Sequence, residues 1–324
     1  MNISTPLRRA KAPLALTAAV MLAATACGGG DAGGSDGDSD QLSGTIKVDG
    51  SSTVAPLSTA AAQLFQSANS GVKVTVGTSG TGGGFEKFCN GETDISNASR
   101  PIADDEAAAC EKNGVAYEEF AVANDGLSVV VSKDNDFAEC LTIEQLNKIW
   151  EPGSKVSSWK EVDPEFPDVP LELFGAGTDS GTFDYFTDAI NGEEGASRTD
   201  YSPSEDDNVT VQGVSGSKGG MGYFGLSYYE ENKDKLKALE IDGGEGCVAP
   251  STKTVQDGSY QPLGRPLFIY PNADALKKPE GEAFVEYYVS NSAEIAEKSL
   301  FVPLNEEQQA ELEGDLEKLR GQQS

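Results

Sequence analysis

Three times in this chain a run of strand-forming residues gives way to a short stretch of glycine and hydroxyl residues, then resumes as an amphipathic helix. The clearest case is GAGTDSGTFDY (175–185), after which Phe183, Phe186 and Ile190 recur at helical spacing. The first copy leads from an alternating Thr45–Val48 stretch through DGSST (49–53) to Val54, Leu57, Ala61, Leu64, Phe65 and Ala68 on one helical face. The second leads from Val72–Val76 through GTSGTGGG (77–84) to a helix expected to begin near Phe85, because glycines in series are costly inside a regular element. Each turn feeds a helix whose first backbone N–H groups lack intrahelical partners and whose dipole places partial positive charge there. Glycine lets a guest approach the backbone and hydroxyls add donors, so Ser180, Gly181 and Thr182 suit a tetrahedral oxyanion. The same residue types also serve as ordinary helix N-caps, and one turn alone leaves both readings open.

Strands and helices alternate along the rest of the chain, which argues an α/β architecture. A strand is expected at Asp94–Ala98, followed by Ser99-Arg100-Pro101-Ile102. Arg100, before a proline that forces extended backbone, is either a surface charge or a guanidinium that clamps an oxyanion. FAVANDGLSVVV (120–131) is apolar with a polar break at Asn124-Asp125-Gly126. Thr142 and Gln145 form a capping box ahead of Ile143, Leu146, Ile149 and Trp150. Residues 153–170 are rich in loop formers, a glycine cluster at 216–222 leads into Tyr223, and Leu263–Tyr270 resembles a strand interrupted by Pro266. The C-terminal stretch reads as helical. The glycine loop at 77–84 ends in Phe85 rather than Lys-Ser/Thr, and it lacks the strict dinucleotide spacing, so nucleotide binding is set aside.

The first 26 residues read as an export leader. Arg8, Arg9 and Lys11 precede an apolar stretch too short to span a bilayer. It ends in Ala24-Thr25-Ala26-Cys27, the pattern of a lipoprotein cleavage site, which makes Cys27 the lipidated first residue of the mature chain; an ordinary signal peptide beside an incidental cysteine is the alternative. Residues 27–43, almost all glycine, serine and aspartate after the cysteine, read as a disordered tether. The formal charge is −29, and the leader holds three of the basic residues but no acid. So acidic a surface repels nucleic acid and anionic membrane, although a buried site responds to local dipoles more than to distant, screened charge. Cys89, Cys110, Cys140 and Cys247 remain, enough for two disulfides in one of three connectivities. No histidine is present and no two cysteines have ligand spacing, which disfavours zinc, and no cofactor is expected.

DGSSTVAPLS (49–58), SGTGGGFEKF (79–88), SRPI (99–102), LTIEQLNKIW (141–150), GTDSGTFDYF (177–186) and GGMGYFGLSYY (219–229) together resemble the phosphate-binding proteins of phosphate ABC transporters, the PstS family. The matches extend from about residue 44 to 304. The resemblance implies a two-lobed, periplasmic-binding-protein-like (type II) α/β fold with two hinge crossings, near Asn124–Ser128 and Pro262–Pro271. Lobe one would comprise 44–125 and 268–319, and lobe two 126–267. Keeping each disulfide inside one lobe then pairs Cys89 with Cys110 and Cys140 with Cys247. The implied ligand residues are Ser52 and Thr53 from the first turn, Ser79 and Thr81 from the second, and Ser180, Gly181 and Thr182 from the third. The implied role is that of a monomeric, extracytoplasmic lipoprotein that captures inorganic phosphate and hands it to a membrane permease, touching the membrane only through its anchor.

The best-known branch of that family has an aspartate before Ala-Pro, where this chain has Ser99 before Arg100-Pro101. That branch also carries an arginine and an aspartate before the third turn, where this chain has Ala176 and Thr178. Arg100 is then expected to supply the guanidinium. Asp179 is the expected acceptor for the proton of hydrogen phosphate, with an N-cap role as its alternative. An unpaired carboxylate facing fully ionised sulfate costs several kcal/mol, which is the physical basis for discrimination. A receptor for sulfate or another tetrahedral oxyanion is the near alternative. An extracellular phosphatase is the more distant one, since the usual histidine base is missing.

Overall fold

The computed structural model describes residues 42–178 and 180–323; the leader, Cys27, nearly all of the tether and Asp179 fall outside the described residues. The chain opens with β1 (Ser43–Gly50), α1 (Ala55–Ala68), β2 (Gly71–Val76), α2 (Gly80–Cys89), β3 (Ile95–Ala98), α3 (Asp104–Asn113) and the long β4 (Phe120–Ser132). The middle holds β5 (Cys140–Thr142), α4 (Ile143–Trp150), α5 (Trp159–Val162), β6 (Glu172–Ala176), α6 (Gly181–Asn191), β7 (Ser202–Ser204), α7 (Asp207–Ser215) and β8 (Gly220–Gly225). There follow α8 (Leu226–Glu231), β9 (Leu236–Ala238), β10 (Glu240–Asp242), β11 (Cys247–Val248), α9 (Thr252–Gln256) and β12 (Gly264–Pro271). Four helices close the described chain: α10 (Ala273–Leu276), α11 (Pro279–Ser290), α12 (Ser292–Lys298) and α13 (Glu306–Gln323). β1 begins at Ser43, the last residue assigned to the tether.

Nine strands form one mixed sheet in the order β2-β1-β3-β12-β4-β8-β6-β7, with β9 also paired to β4. The parallel β1–β2, β1–β3 and β6–β8 pairs require helical crossovers, and these crossovers begin at the three glycine and hydroxyl turns. Apolar side chains collect in separate clusters at the two ends of the sheet. Ile46, Val48, Leu57, Phe65, Phe284 and Val289 belong to one cluster. Trp150, Trp159, Phe186 and Tyr223 belong to another, where the Phe186 and Tyr223 rings stack with centroids 3.8 Å apart. The long strand β4 contributes to both clusters, whereas its antiparallel neighbour β12 adds apolar side chains to the first. Phe120, Val122, Leu267 and Ile269 pack in the first cluster, whereas Leu127, Val129 and Val131 pack in the second.

β4 runs straight through Asn124-Asp125-Gly126, so the polar break does not end the strand. The reason is tertiary pairing on both edges. Gly126, Asp125 and Asn124 stand opposite Gly264, Arg265 and Pro266 of β12, while the Asn124 backbone exchanges both hydrogen bonds with Val302. With those groups directed at Val302, the N–H that Pro266 lacks is not needed on its side of the ladder. The Asn124 amide is also paired reciprocally with Gln308, which meets the cost of burying it.

α2 starts at Gly80, five residues earlier than expected, and takes Gly82, Gly83 and Gly84 into its first turns. A Cβ at Gly84 would lie 2.5 Å from the Gly50 Cα, so helix and loop touch backbone to backbone and only glycine fits. The close packing overrides a poor local helix propensity. Both expected disulfides form: Cys89–Cys110 ties α2 to α3, and Cys140–Cys247 closes the small β11-β10-β5 sheet. Among the described residues no helix is long and apolar enough to cross a membrane.

Candidate oxyanion site

The first and third turns meet. Ser52 and Thr53 lie between β1 and α1, and Ser180 is the N-cap of α6, its hydroxyl accepting from the Thr182 N–H at 3.2 Å. The Thr53 hydroxyl donates to the Gly181 carbonyl at 3.2 Å, and the Ser52 hydroxyl donates to the Asp184 carboxylate at 3.0 Å. A Cβ on Gly181 would lie 2.8 Å from the Thr53 backbone nitrogen and 2.9 Å from its Cα. Glycine at 181 is therefore what allows the N-termini of α1 and α6, drawn from opposite ends of the sheet, to come into backbone contact. Beside this contact lies a cleft of about 590 Å³ whose lining includes Ser52, Thr78, Gly181 and Lys298.

The second turn is held from behind. Asp49 accepts from both the backbone N–H and the hydroxyl of Ser79, from the Gly50 N–H at 2.8 Å, and from Lys87 at 2.6 Å. Burial pushes the Asp49 carboxyl up, but Lys87, Ser79 and Gly50 together outweigh it and hold the carboxyl below its ordinary value. Thr81, in the first turn of α2, is buried and shares a 3.0 Å hydroxyl contact with Ser99. Arg100 stands at the rim with its side chain 45% exposed, in a bidentate pair with Glu106 in which both N···O distances are 2.8 Å. The same Glu106 accepts from the Ala103 N–H and thereby caps α3. Thr53 thus contacts Gly181 directly and Ser52 contacts Asp184 of the same helix, whereas Thr81 turns to Ser99 and Arg100 to Glu106. Asp179 lies outside the described residues.

A second arginine, not singled out from the sequence, sits directly against the first and third turns. Arg265 of β12 donates from Nη2 to the Thr53 hydroxyl at 3.4 Å, and its guanidinium carbon lies 3.4 Å from the centroid of the Tyr185 ring. Its ionic partner is Asp125, directly across the β4–β12 ladder, with Nε and Oδ2 3.6 Å apart. Burial raises the Asp125 carboxyl, and Arg265 offsets part of that rise. Glu194, which faces the same region, is raised by burial and by Asp184 and Asp188, with Arg265 and Arg100 opposing. The signal for it in the sequence is a charged residue inside the otherwise apolar Leu263–Tyr270 run, next to Pro266.

An α/β chain whose sheet is joined end to end by two antiparallel crossing strands, with helix N-termini from both ends in contact beside them, has the periplasmic-binding-protein-like fold. A family model described as a PBP superfamily domain matches residues 37–292. Protein SphX of Synechococcus elongatus is 50% identical over 262 residues, 80% of this chain and 77% of that one. The phosphate-binding protein PstS of Staphylococcus saprophyticus is 41% identical over 301 residues, 92% of this chain and 91% of that one. The crystal structure of a possible phosphate binding protein from Planctomyces limnophilus superposes with a TM-score of 0.83 at 48% identity, covering 86% of this chain and 99% of that one. This chain belongs to the PBP superfamily and, within it, to the family of PstS and SphX.

Proposed function

We propose that this chain is an extracytoplasmic solute-binding lipoprotein that captures inorganic phosphate between two lobes and delivers it to the permease of an ABC importer. The lobes of this reading are 44–125 with 268–319, and 126–267, closing about the β4–β12 crossing. The observation that carries it is the backbone contact between Thr53 and Gly181, which brings two helix N-termini to one place beside a cleft. Ser52, Thr53, Ser180, Gly181 and Thr182 form the centre of the proposed donor set, with Ser79 and Thr81 on its wall and Arg100 at its rim. The names of the Staphylococcus and Planctomyces relatives support phosphate as the guest. Cys27 would anchor the protein to the outer face of the cell membrane, leaving a monomer whose acidic surface has no use for nucleic acid. The role is binding without turnover: a chain with no histidine lacks the usual base for a serine nucleophile.

The test is isothermal titration calorimetry of the mature protein with inorganic phosphate, followed by competition with sulfate. Saturable binding of one phosphate, displaced only by a large excess of sulfate, is the expected result. Equal affinity for the two anions would convert the reading to a general oxyanion receptor, and absence of binding to either would end it.

A further inference from the structure

Arg265 occupies an unusual position for a cation. It lies on β12, an interior strand between β3 and β4 of the large sheet, with its side chain only 16% exposed. A buried guanidinium requires compensation, ordinarily a carboxylate that accepts two parallel hydrogen bonds. Asp125 stands opposite in the ladder but does not supply this. Its nearest oxygen is 3.6 Å from Nε, beyond good hydrogen-bond length, and buried Nε has no hydrogen-bond partner among the described residues. The contrast with Arg100 is direct, because Glu106 satisfies that guanidinium bidentately at 2.8 Å. Asp125 therefore neutralises Arg265 without the short bidentate pairing that Glu106 gives Arg100.

Two further contacts fix where the guanidinium stands. Its flat face rests on the Tyr185 ring in α6, and its Nη2 reaches the Thr53 hydroxyl, which itself donates to the Gly181 carbonyl. One hydroxyl thus separates the cation from the meeting point of the α1 and α6 N-termini. Tyr185 is anchored in turn through its own hydroxyl, which donates to the Pro262 carbonyl at 2.8 Å. The plane of the guanidinium is set by the ring and its place by the strand, so its ordering is largely complete before any guest arrives.

We propose that Arg265 is the cationic ligand of the bound oxyanion, oriented by the Tyr185 ring and the Thr53 hydroxyl, with Asp125 only balancing its charge, and that Arg100 is not. The assignment rests on the phosphate-binding reading above. It gives the site a fixed positive charge at the crossing of the two lobes, contacted from the Thr53 turn on one side and from α6 on the other. The planar fork of donors matches two oxygens of a tetrahedral anion, which a lysine ammonium does not.

The experiment measures phosphate affinity by calorimetry, and thermal stability without ligand, for the wild-type protein and for Arg265→Gln, Arg265→Lys and Asp125→Asn. Loss of a buried charged ligand is expected to weaken phosphate binding by roughly 100-fold or more in Arg265→Gln. Arg265→Lys, which keeps the charge but not the fork, is expected to lose about 10-fold and is the arm to read if the glutamine variant does not fold. Asp125→Asn removes a negative charge from beside the anion and should bind phosphate at least as tightly as the wild type, whatever its stability. If Arg265 only staples the two strands, breaking the pair from either side should act alike, and parallel losses in Arg265→Gln and Asp125→Asn would overturn the assignment. Wild-type affinity in Arg265→Lys, or in a folded Arg265→Gln, would overturn it as well while leaving phosphate binding standing. A wild-type protein that binds no phosphate would instead refute the functional reading on which the assignment rests.

Discussion

The Asp49 carboxylate holds Ser79 twice, accepting from its backbone N–H at 3.1 Å and from its hydroxyl at 2.8 Å. The first and second turns are thereby fastened to each other within one half of the protein, independently of any guest. The surrounding donors keep this carboxyl below its ordinary value of 3.8, so its contribution to stability is fully present above that value and is lost as pH falls through the lower folded value. Asp49→Asn should therefore lower the melting temperature at pH 7, by an amount equivalent to about 1–3 kcal/mol for lost charged hydrogen bonds. The gap between wild type and variant should shrink as the pH is taken below about 3.8. Melting curves at pH 7 and pH 3 check both statements, and a gap that widens in acid would contradict the sign.

Gly181→Ala tests the contact between the first and third turns. The added methyl would meet the Thr53 nitrogen and Cα, both backbone atoms that no rotamer change can move aside. The two turns must separate, and overpacking of this kind costs about 1–3 kcal/mol. Because the cores at the two ends of the sheet are untouched, the loss should fall mainly on phosphate affinity, about 5- to 150-fold, with little change in the melting temperature of the free protein. Calorimetry and a thermal scan on the same preparation decide it. An unaltered affinity would mean that closure does not depend on this approach.

What could be read from the sequence was local, and what could not was set by distant pairing. The turns at 49–53 and 175–185 were legible because residue type and helical periodicity change within a few positions, and the structure brings them together. The 77–84 turn is visible in the sequence, but local propensity places its glycines in a loop, whereas α2 takes Gly80 to Gly84 into its first turns. Their helical state depends on Gly50 packing against Gly84, a contact that no local pattern encodes. The Asn124-Asp125-Gly126 break was visible, yet its meaning lies in register: Asp125 acquires a role only when β12 places Arg265 opposite it. Ser52 and Asp184 likewise join the two ends of the sheet through a side-chain contact with no counterpart in spacing.

The two disulfides should differ in both lability and worth. Cys89 and Cys110 are 2% and 0% exposed, whereas Cys247 is exposed and Cys140 half-buried. Graded dithiothreitol followed by alkylation and mass mapping should therefore release Cys140 and Cys247 first, since exchange requires access of the attacking thiolate. The sequence separations are 21 and 107 residues. The chain-entropy argument then assigns about 3 kcal/mol to Cys89–Cys110 and about 5 kcal/mol to Cys140–Cys247. The paired alanine variant at 140 and 247 is expected to melt lower than the pair at 89 and 110. The opposite order would show that the buried bond contributes through packing of α2 on α3 rather than through loop closure.

Arg100 is the residue on which sequence and structure place different weight. Its motif position suggested the guanidinium of the site, yet the side chain is 45% exposed and spends two donors on Glu106, which is itself committed to the N-terminus of α3. A charge so placed acts on an approaching anion chiefly through its field, which salt screens over about 8 Å at physiological ionic strength. Such rim charges govern the association rate more than the dissociation rate. Arg100→Ala should therefore slow phosphate association a few-fold at low salt, with the difference fading at high salt, and should leave the dissociation rate within about twofold of wild type. Stopped-flow measurements at two ionic strengths separate the rates. A dissociation rate raised by about 30-fold or more, the mark of a buried charged ligand, would move Arg100 from the rim to the centre of the site.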